Sequence, residues 1–172
     1  EFGMGQCVAD FDRDGDLDCY VTGIFARSPN PAFHNGNSFY VNNGAATFVE
    51  SAATSGLLDG GWGWGVAAVD IDQDGWLDIV EANGRNSTEW AEEPEYFFHN
   101  DGNGTFTRDE VVSSQFLNAD GRCVVTLDYD RDGDRDVLIY YNLGPLKLYR
   151  NDTSTPTGGS ARWLQVELSP GS

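Results

Sequence analysis

A chain of 172 residues with 40% hydrophobic and 13% aromatic content is long enough to bury one good core, so a disordered chain is excluded despite a formal net charge of −18. That charge also argues against nucleic acid as a partner, and no run reaches the ~18 apolar residues of a membrane helix. Cys7, Cys19 and Cys123 form no CxxC pair for zinc, and an odd count leaves at least one unpaired; with Cys7 and Cys19 placed diagonally on one face of a hairpin, buried thiols are favoured over a bridge.

Residues 5–10 and 17–22 read as two short strands around the nonapeptide DFDRDGDLD, Asp10 to Asp18. The nonapeptide returns as DIDQDGWLD, Asp70 to Asp78, and as DYDRDGDRD, Asp128 to Asp136, at spacings of 60 and 58 residues. Positions 1, 3, 5 and 9 carry carboxylates: Asp10, Asp12, Asp14 and Asp18; Asp70, Asp72, Asp74 and Asp78; Asp128, Asp130, Asp132 and Asp136. Position 7 varies (Asp16, Trp76, Asp134), as it would if only its backbone carbonyl binds. Ca2+ takes six to eight oxygens, and carboxylates at every second residue of a curling chain can supply them. Glycine at position 6 (Gly15, Gly75, Gly133) permits the sharp turn.

A single copy also fits an ordinary Asp-Gly turn. Three copies are different, because each close carboxylate pair repels by about 4 kcal/mol at an effective dielectric near 20. A divalent cation removes that conflict, so three Ca2+ sites are expected. Fourteen of the 28 acidic residues lie in these nonapeptides, which makes most of the acidity binding-site chemistry. The EF-hand begins in the same way, but it needs Glu at position 12 and flanking helices. Here position 12 is Val21, Glu81 and Ile139, and the flanks alternate as strands.

After the first hairpin, an excursion with two prolines, residues 24–36, leads to NSFYVNNGAATFVES, a second hairpin turning at Asn43-Gly44. The second unit repeats that order through EYFFHN, the turn DGNG and TFTRD; EVVSSQFLNADG is a linker; the third unit shortens its excursion to NLG before PLKLYRN and a last strand, ARWLQVEL. Four antiparallel strands per repeat of about 60 residues are the mark of a propeller blade. The predicted architecture is therefore all-β, a single repeat domain over 1–172, with blades at about 3–57, 62–117 and 121–169 and a calcium loop in the first hairpin of each.

DxDxDGxxD after a GxG-V-A-A strand, WGWG before the second copy and FFHNDGNGTF-like turns resemble the FG-GAP/VCBS repeats of integrin-type propellers. ARWLQVEL resembles the opening of the ASPIC/UnbV segment that follows such repeats in the cartilage-acidic-protein-like group. The resemblance covers nearly the whole chain, and it implies calcium ligands at the Asp positions already named. Propellers close with four to eight blades. Three blades make an open arc with two uncovered faces, which need either blades of a longer parent chain or further copies in a ring or filament. A first residue other than Met and a Pro-Gly-Ser end read as a piece of a longer protein.

Catalytic chemistry is not written here: His34 and His99 each sit beside Asn in turn-like contexts and read as surface residues, and no phosphate-binding glycine loop occurs, so no enzyme is expected. Trp62, Trp64 and Trp163 read as core or blade packing, whereas Trp90 in NSTEWAEEP is the candidate for a ligand or partner contact. Asn86, Asn103 and Asn151 head glycosylation triplets. The function expected is an extracellular or cell-surface, non-catalytic calcium-binding module for adhesion or self-assembly, since weak calcium sites suit millimolar calcium outside cells. The alternative is a lectin-like module presenting Trp90 to glycans.

Overall fold

The computed structural model describes residues 3–25, 36–45, 47–85 and 93–152. It contains three antiparallel sheets. β1 (Gln6–Ala9), β2 (Asp18–Val21), β3 (Ser38–Asn42) and β4 (Phe48–Glu50) form the first, in chain order. β5 (Gly63–Val69), β6 (Asp78–Asn83), β7 (Tyr96–Asn100) and β8 (Phe106–Arg108) repeat that order in the second. β9 (Gly121–Leu127), β10 (Asp136–Tyr141) and β11 (Leu146–Tyr149) form the third, which has three strands among the described residues. Its expected fourth strand, ARWLQVEL, lies outside them, as do Trp163 and His34. No sheet closes on itself, so the architecture is one of open propeller-like blades.

The blades stack face to face, and the middle one is covered on both sides. Ile79, Tyr96, Phe98 and Phe106 of the second blade pack on Ala9, Phe11, Tyr20 and Phe39 of the first. Val69, Val80, Ala82 and Phe97 pack on Val124, Val137, Ile139 and Tyr141 of the third. Because successive strand residues point to opposite faces, VAAVD and DIVEA are apolar without alternation, and β6 is buried along its whole length. The outer blades bury one face each, and Val8, Phe48, Val125 and Tyr140 remain exposed. Stacking brings β1, β5 and β9 close together. A Cβ on Gly5 would strike the Trp64 carbonyl, and one on Gly65 would meet the Arg122 carbonyl at 2.7 Å.

Two readings are corrected. EVVSSQFLNADG is not only a linker, because it holds a one-turn helix, α1 (Glu110–Ser113). Asp109 caps it, accepting from the amides of Val111 and Val112, while Val112 and Phe116 join the core between the second and third blades. Cys7 and Cys19 lie on opposite faces of their sheet: Cys7 pairs with Tyr20 and Val8 with Cys19, one residue out of the register a bridge would need. All three cysteines are free, and burial pushes the Cys7 thiol up to about 12. No helix among the described residues is long and apolar enough to cross a membrane.

Candidate metal centres

Each nonapeptide folds as a loop between the first two strands of its blade. The fourth residue takes a left-handed conformation, with φ of 60° at Arg13, 58° at Gln73 and 66° at Arg131, and the glycine two residues later takes φ near 96°, 93° and 100°. These two inversions curl the chain so that its amides point at its own carboxylates. In the first loop, Asp10 accepts from the amides of Asp14 and Gly15, Asp12 from Asp14 (3.2 Å), and Asp14 from Asp16 (2.9 Å). The second loop repeats this set at Asp70, Asp72 and Asp74 within about 0.1 Å.

The ninth residue has a further task. Asp18, Asp78 and Asp136 are fully buried. One oxygen of each accepts from the amide of the loop's second residue (Phe11, Ile71, Tyr129) and the other from an asparagine amide at the end of the third strand (Asn42, Asn100, Asn151), all at 2.8 to 3.1 Å. The closing aspartate thus fastens the loop to its own blade.

Carboxylate oxygens of Asp10, Asp12 and Asp18 lie within 4.8 Å of one another, as do those of Asp70, Asp72 and Asp74, and those of Asp128, Asp130 and Asp136. A further group joins Asp72 and Asp78 to His99, whose Nδ1 is 3.3 Å from Asp78. Asp14, Asp132 and the seventh residues Asp16, Trp76 and Asp134 are in the loops but outside these groups. Burial, and after it the neighbouring carboxylates, push the Asp12 carboxyl above its usual range. Burial pushes Asp78 up to about 6 against the amides of Asn100 and Ile71.

The donor set tests well for a hard cation. All of these groups except the one with His99 are oxygen-only, as Ca2+ prefers. In the third loop, Asp128 Oδ2 accepts from Gly133, while its Oδ1 is buried with no hydrogen-bond partner. A buried charged oxygen left unpaired is costly, and a cation at the cluster would satisfy it.

The loops also touch one another, which the sequence did not suggest. The Arg13 guanidinium stands over the Trp76 ring, 5.1 Å from its centroid, and Gln73 Nε2 donates to Asp134. In both cases the fourth residue of one loop meets the seventh of the next. Asn100 Nδ2 donates to the carbonyls of Leu77 in its own loop and Phe11 in the preceding blade, and Asn151 Nδ2 donates to Ile71 of the preceding blade. The asparagine after each third strand (VN, HN, RN) was the signal available for this role. His99, read as a surface residue, leans onto the second loop.

Other expected sites fare differently. Trp90 and Asn86 lie outside the described residues. Asn103 is exposed in the β7–β8 turn, its Oδ1 accepting from the Thr105 amide at 3.0 Å. Asn151 is buried with its Nδ2 donating 2.7 Å to Ile71, so the nitrogen a glycan would need is committed to the blade junction. Trp62 and Trp64 stack 6.5 Å apart, Arg85 lies over the first ring and Arg122 over the second, and Trp64 Nε1 donates to Gly84.

Comparison with known proteins agrees with this geometry. Residues 10–81 match the family described as FG-GAP-like repeat. Over 116 residues the chain is 32% identical to Cartilage acidic protein 1 of Homo sapiens, covering 66% of this chain and 15% of that protein.

Proposed function

From the premise that the chain is an FG-GAP repeat protein, we propose that it is an extracellular, non-catalytic module in which three Ca2+ ions hold the blade loops in shape, and that it serves adhesion or structural assembly. The observation that carries the calcium reading is the third loop, where Asp128, Asp130 and Asp136 converge and a buried carboxylate oxygen has no protein partner. Carboxylates at positions 1, 3, 5 and 9 would hold the ion, with the carbonyl of the seventh residue completing its oxygens. The non-catalytic reading is supported by what the carboxylates already do. They accept backbone amides and sit with their like, and an Asp bound to calcium is neither acid nor nucleophile. Because the chain spans 15% of the length of its relative, adhesion and assembly are proposed for this segment alone.

Calcium that binds only the folded state stabilises it by mass action. At ten times Kd each site adds about 1.4 kcal/mol, three add about 4 kcal/mol, and Tm rises by about 10 °C. Thermal unfolding in 2 mM calcium and again in excess EDTA measures this. A Tm indifferent to chelation would sink the reading.

A further inference from the structure

Strand register fixes which residue stands across from the closing aspartate of each loop. Carried one residue beyond the pairs Cys19↔Tyr40, Ile79↔Phe98 and Val137↔Tyr149, it sets Val41 opposite Asp18, His99 opposite Asp78 and Arg150 opposite Asp136. Residues directly opposite one another share a face of the sheet, so their side chains are neighbours. Valine has no ligand atom, and arginine is itself a cation that keeps its proton. Arg150 pairs with Asp152 at 2.7 Å. Of the three loops, the second alone has a metal-binding side chain at this place.

The carboxylates are arranged accordingly. In the first and third loops the closing aspartate joins the oxygens of positions 1 and 3, as Asp10, Asp12 and Asp18 and as Asp128, Asp130 and Asp136. In the second loop Asp70, Asp72 and Asp74 group without Asp78, and Asp78 groups instead with Asp72 and His99. His99 Nδ1 lies 3.3 Å from Asp78 and 3.8 Å from Asp72. It belongs to the one imidazole among the described residues, and its side chain is 35% exposed, which gives an ion a path from solvent. Asp78 is fully buried and held by the amides of Ile71 and Asn100, so this carboxylate is fixed before any ion arrives.

Donor chemistry separates the two kinds of group. Oxygen-only sets suit Ca2+, whereas an imidazole nitrogen beside two carboxylates suits a first-row transition ion such as Zn2+. Three protein ligands leave the fourth position of a tetrahedral ion to water. We propose that the second loop, unlike the first and third, carries a site for a Zn2+-type transition ion, held by Asp72, Asp78 and His99 Nδ1. This deepens the cation reading given above and rests on it, because the nonapeptide fold is what sets Asp72 beside Asp78. One residue on the neighbouring strand thereby decides which class of cation a loop of this repeat accepts.

Cobalt titration of the chain at about 100 µM, in about 2 mM calcium so that the oxygen-only groups compete for calcium, tests the site. One equivalent of Co2+ should bind with the visible absorption of nitrogen and oxygen ligands, without the thiolate charge-transfer band that the exposed Cys123 would add, and Zn2+ should displace it. His99→Gln, which keeps a polar side chain but no imidazole, should weaken binding at least tenfold. His34→Ala, which removes the other histidine of the sequence, should leave it unchanged. In wild type, the ring-nitrogen NMR resonances of His99 should shift on adding Zn2+, a readout independent of how any variant folds. Resonances that stay in place, or cobalt binding of equal strength in His99→Gln, overturn the site; a Tm that still falls in EDTA then leaves the calcium reading standing. A calcium-loaded Tm indifferent to EDTA overturns the calcium reading whether or not cobalt binds.

Discussion

Asp136 shows how much one residue of the repeated motif does. Its carboxylate takes the amides of Tyr129 and Asn151 at 2.9 Å each, and it belongs to the oxygen cluster of the third loop. Hydrogen bonds to a charged group are worth roughly 1.5–3 kcal/mol. Asp136→Ala should therefore cost about 3 kcal/mol in urea unfolding performed in EDTA, where the cation no longer contributes, and Asp136→Asn, which keeps one acceptor, about half of that. That position 9 would join the carboxylates of its loop was legible from spacing, as it does in the first and third loops. Its two amide bonds were not, because Asn151 lies 15 residues away on another strand. Glu81 is a residue the motif leaves unexplained. It is fully buried between the first two blades, with Oε2 accepting from the Tyr20 hydroxyl at 2.6 Å and from Asn37 Nδ2 at 2.9 Å, and Oε1 without a partner. Burial pushes its carboxyl from 4.5 up to about 8. A raised carboxyl favours the fold in its neutral form, so its contribution is complete below pH 4.5 and is lost as pH rises through 8. Tm in saturating calcium should fall between pH 5 and 8 and level off above, and Glu81→Gln should flatten that fall. An equally steep fall in the variant would assign the effect elsewhere.

At the scale of the element, the third strand and its terminal asparagine tie one blade to the next. Asn100 spans the carbonyls of Leu77 and Phe11 from a buried position. Asn100→Ala leaves both carbonyls unpaired and should cost roughly 2 kcal/mol. Asn42→Ala, at an end with a single 3.3 Å bond, should cost less than half as much in the isolated chain. The two costs compared by urea unfolding at micromolar concentration check this, and equal costs would deny the junction any special role. The strands themselves could be read from alternation and turn residues, and β1 and β2 fall inside the predicted spans. The pairing of Cys7 with Tyr20 could not be read to within one residue, because the loop's inversions at Arg13 and Gly15 set the register and only Gly15 advertises one. The helix at Glu110–Ser113 escaped for a similar reason: a single turn has no periodicity, and its support comes from the core that Val112 enters.

Over the whole molecule, an arc of three blades has one interior sheet and two half-covered ones. Its acidic loops line up along one rim, joined through Arg13 and Trp76 and through Gln73 and Asp134. Cations in such a rim would tie the blades together as well as stiffen each hairpin, which is why chelation should move the main unfolding transition and not merely loosen a surface. The two outer sheets keep Val8, Phe48, Tyr140 and Leu148 exposed, where the middle sheet buries its apolar residues on both faces.

The nonapeptides alone determined the repeat and the all-β class and brought carboxylates of each loop together, because such a loop is local: its carboxylates are eight residues apart at most and its turn needs a glycine at one fixed place. The tertiary structure decided what sequence distance conceals. That includes the asparagines that bridge blades, the lean of His99 onto Asp78, the burial that holds Glu81 neutral and removes Asn151 Nδ2 from solvent, and the pairing of fourth with seventh residues between loops. Each of these depends on which face meets which neighbour, and that is settled only when the blades pack.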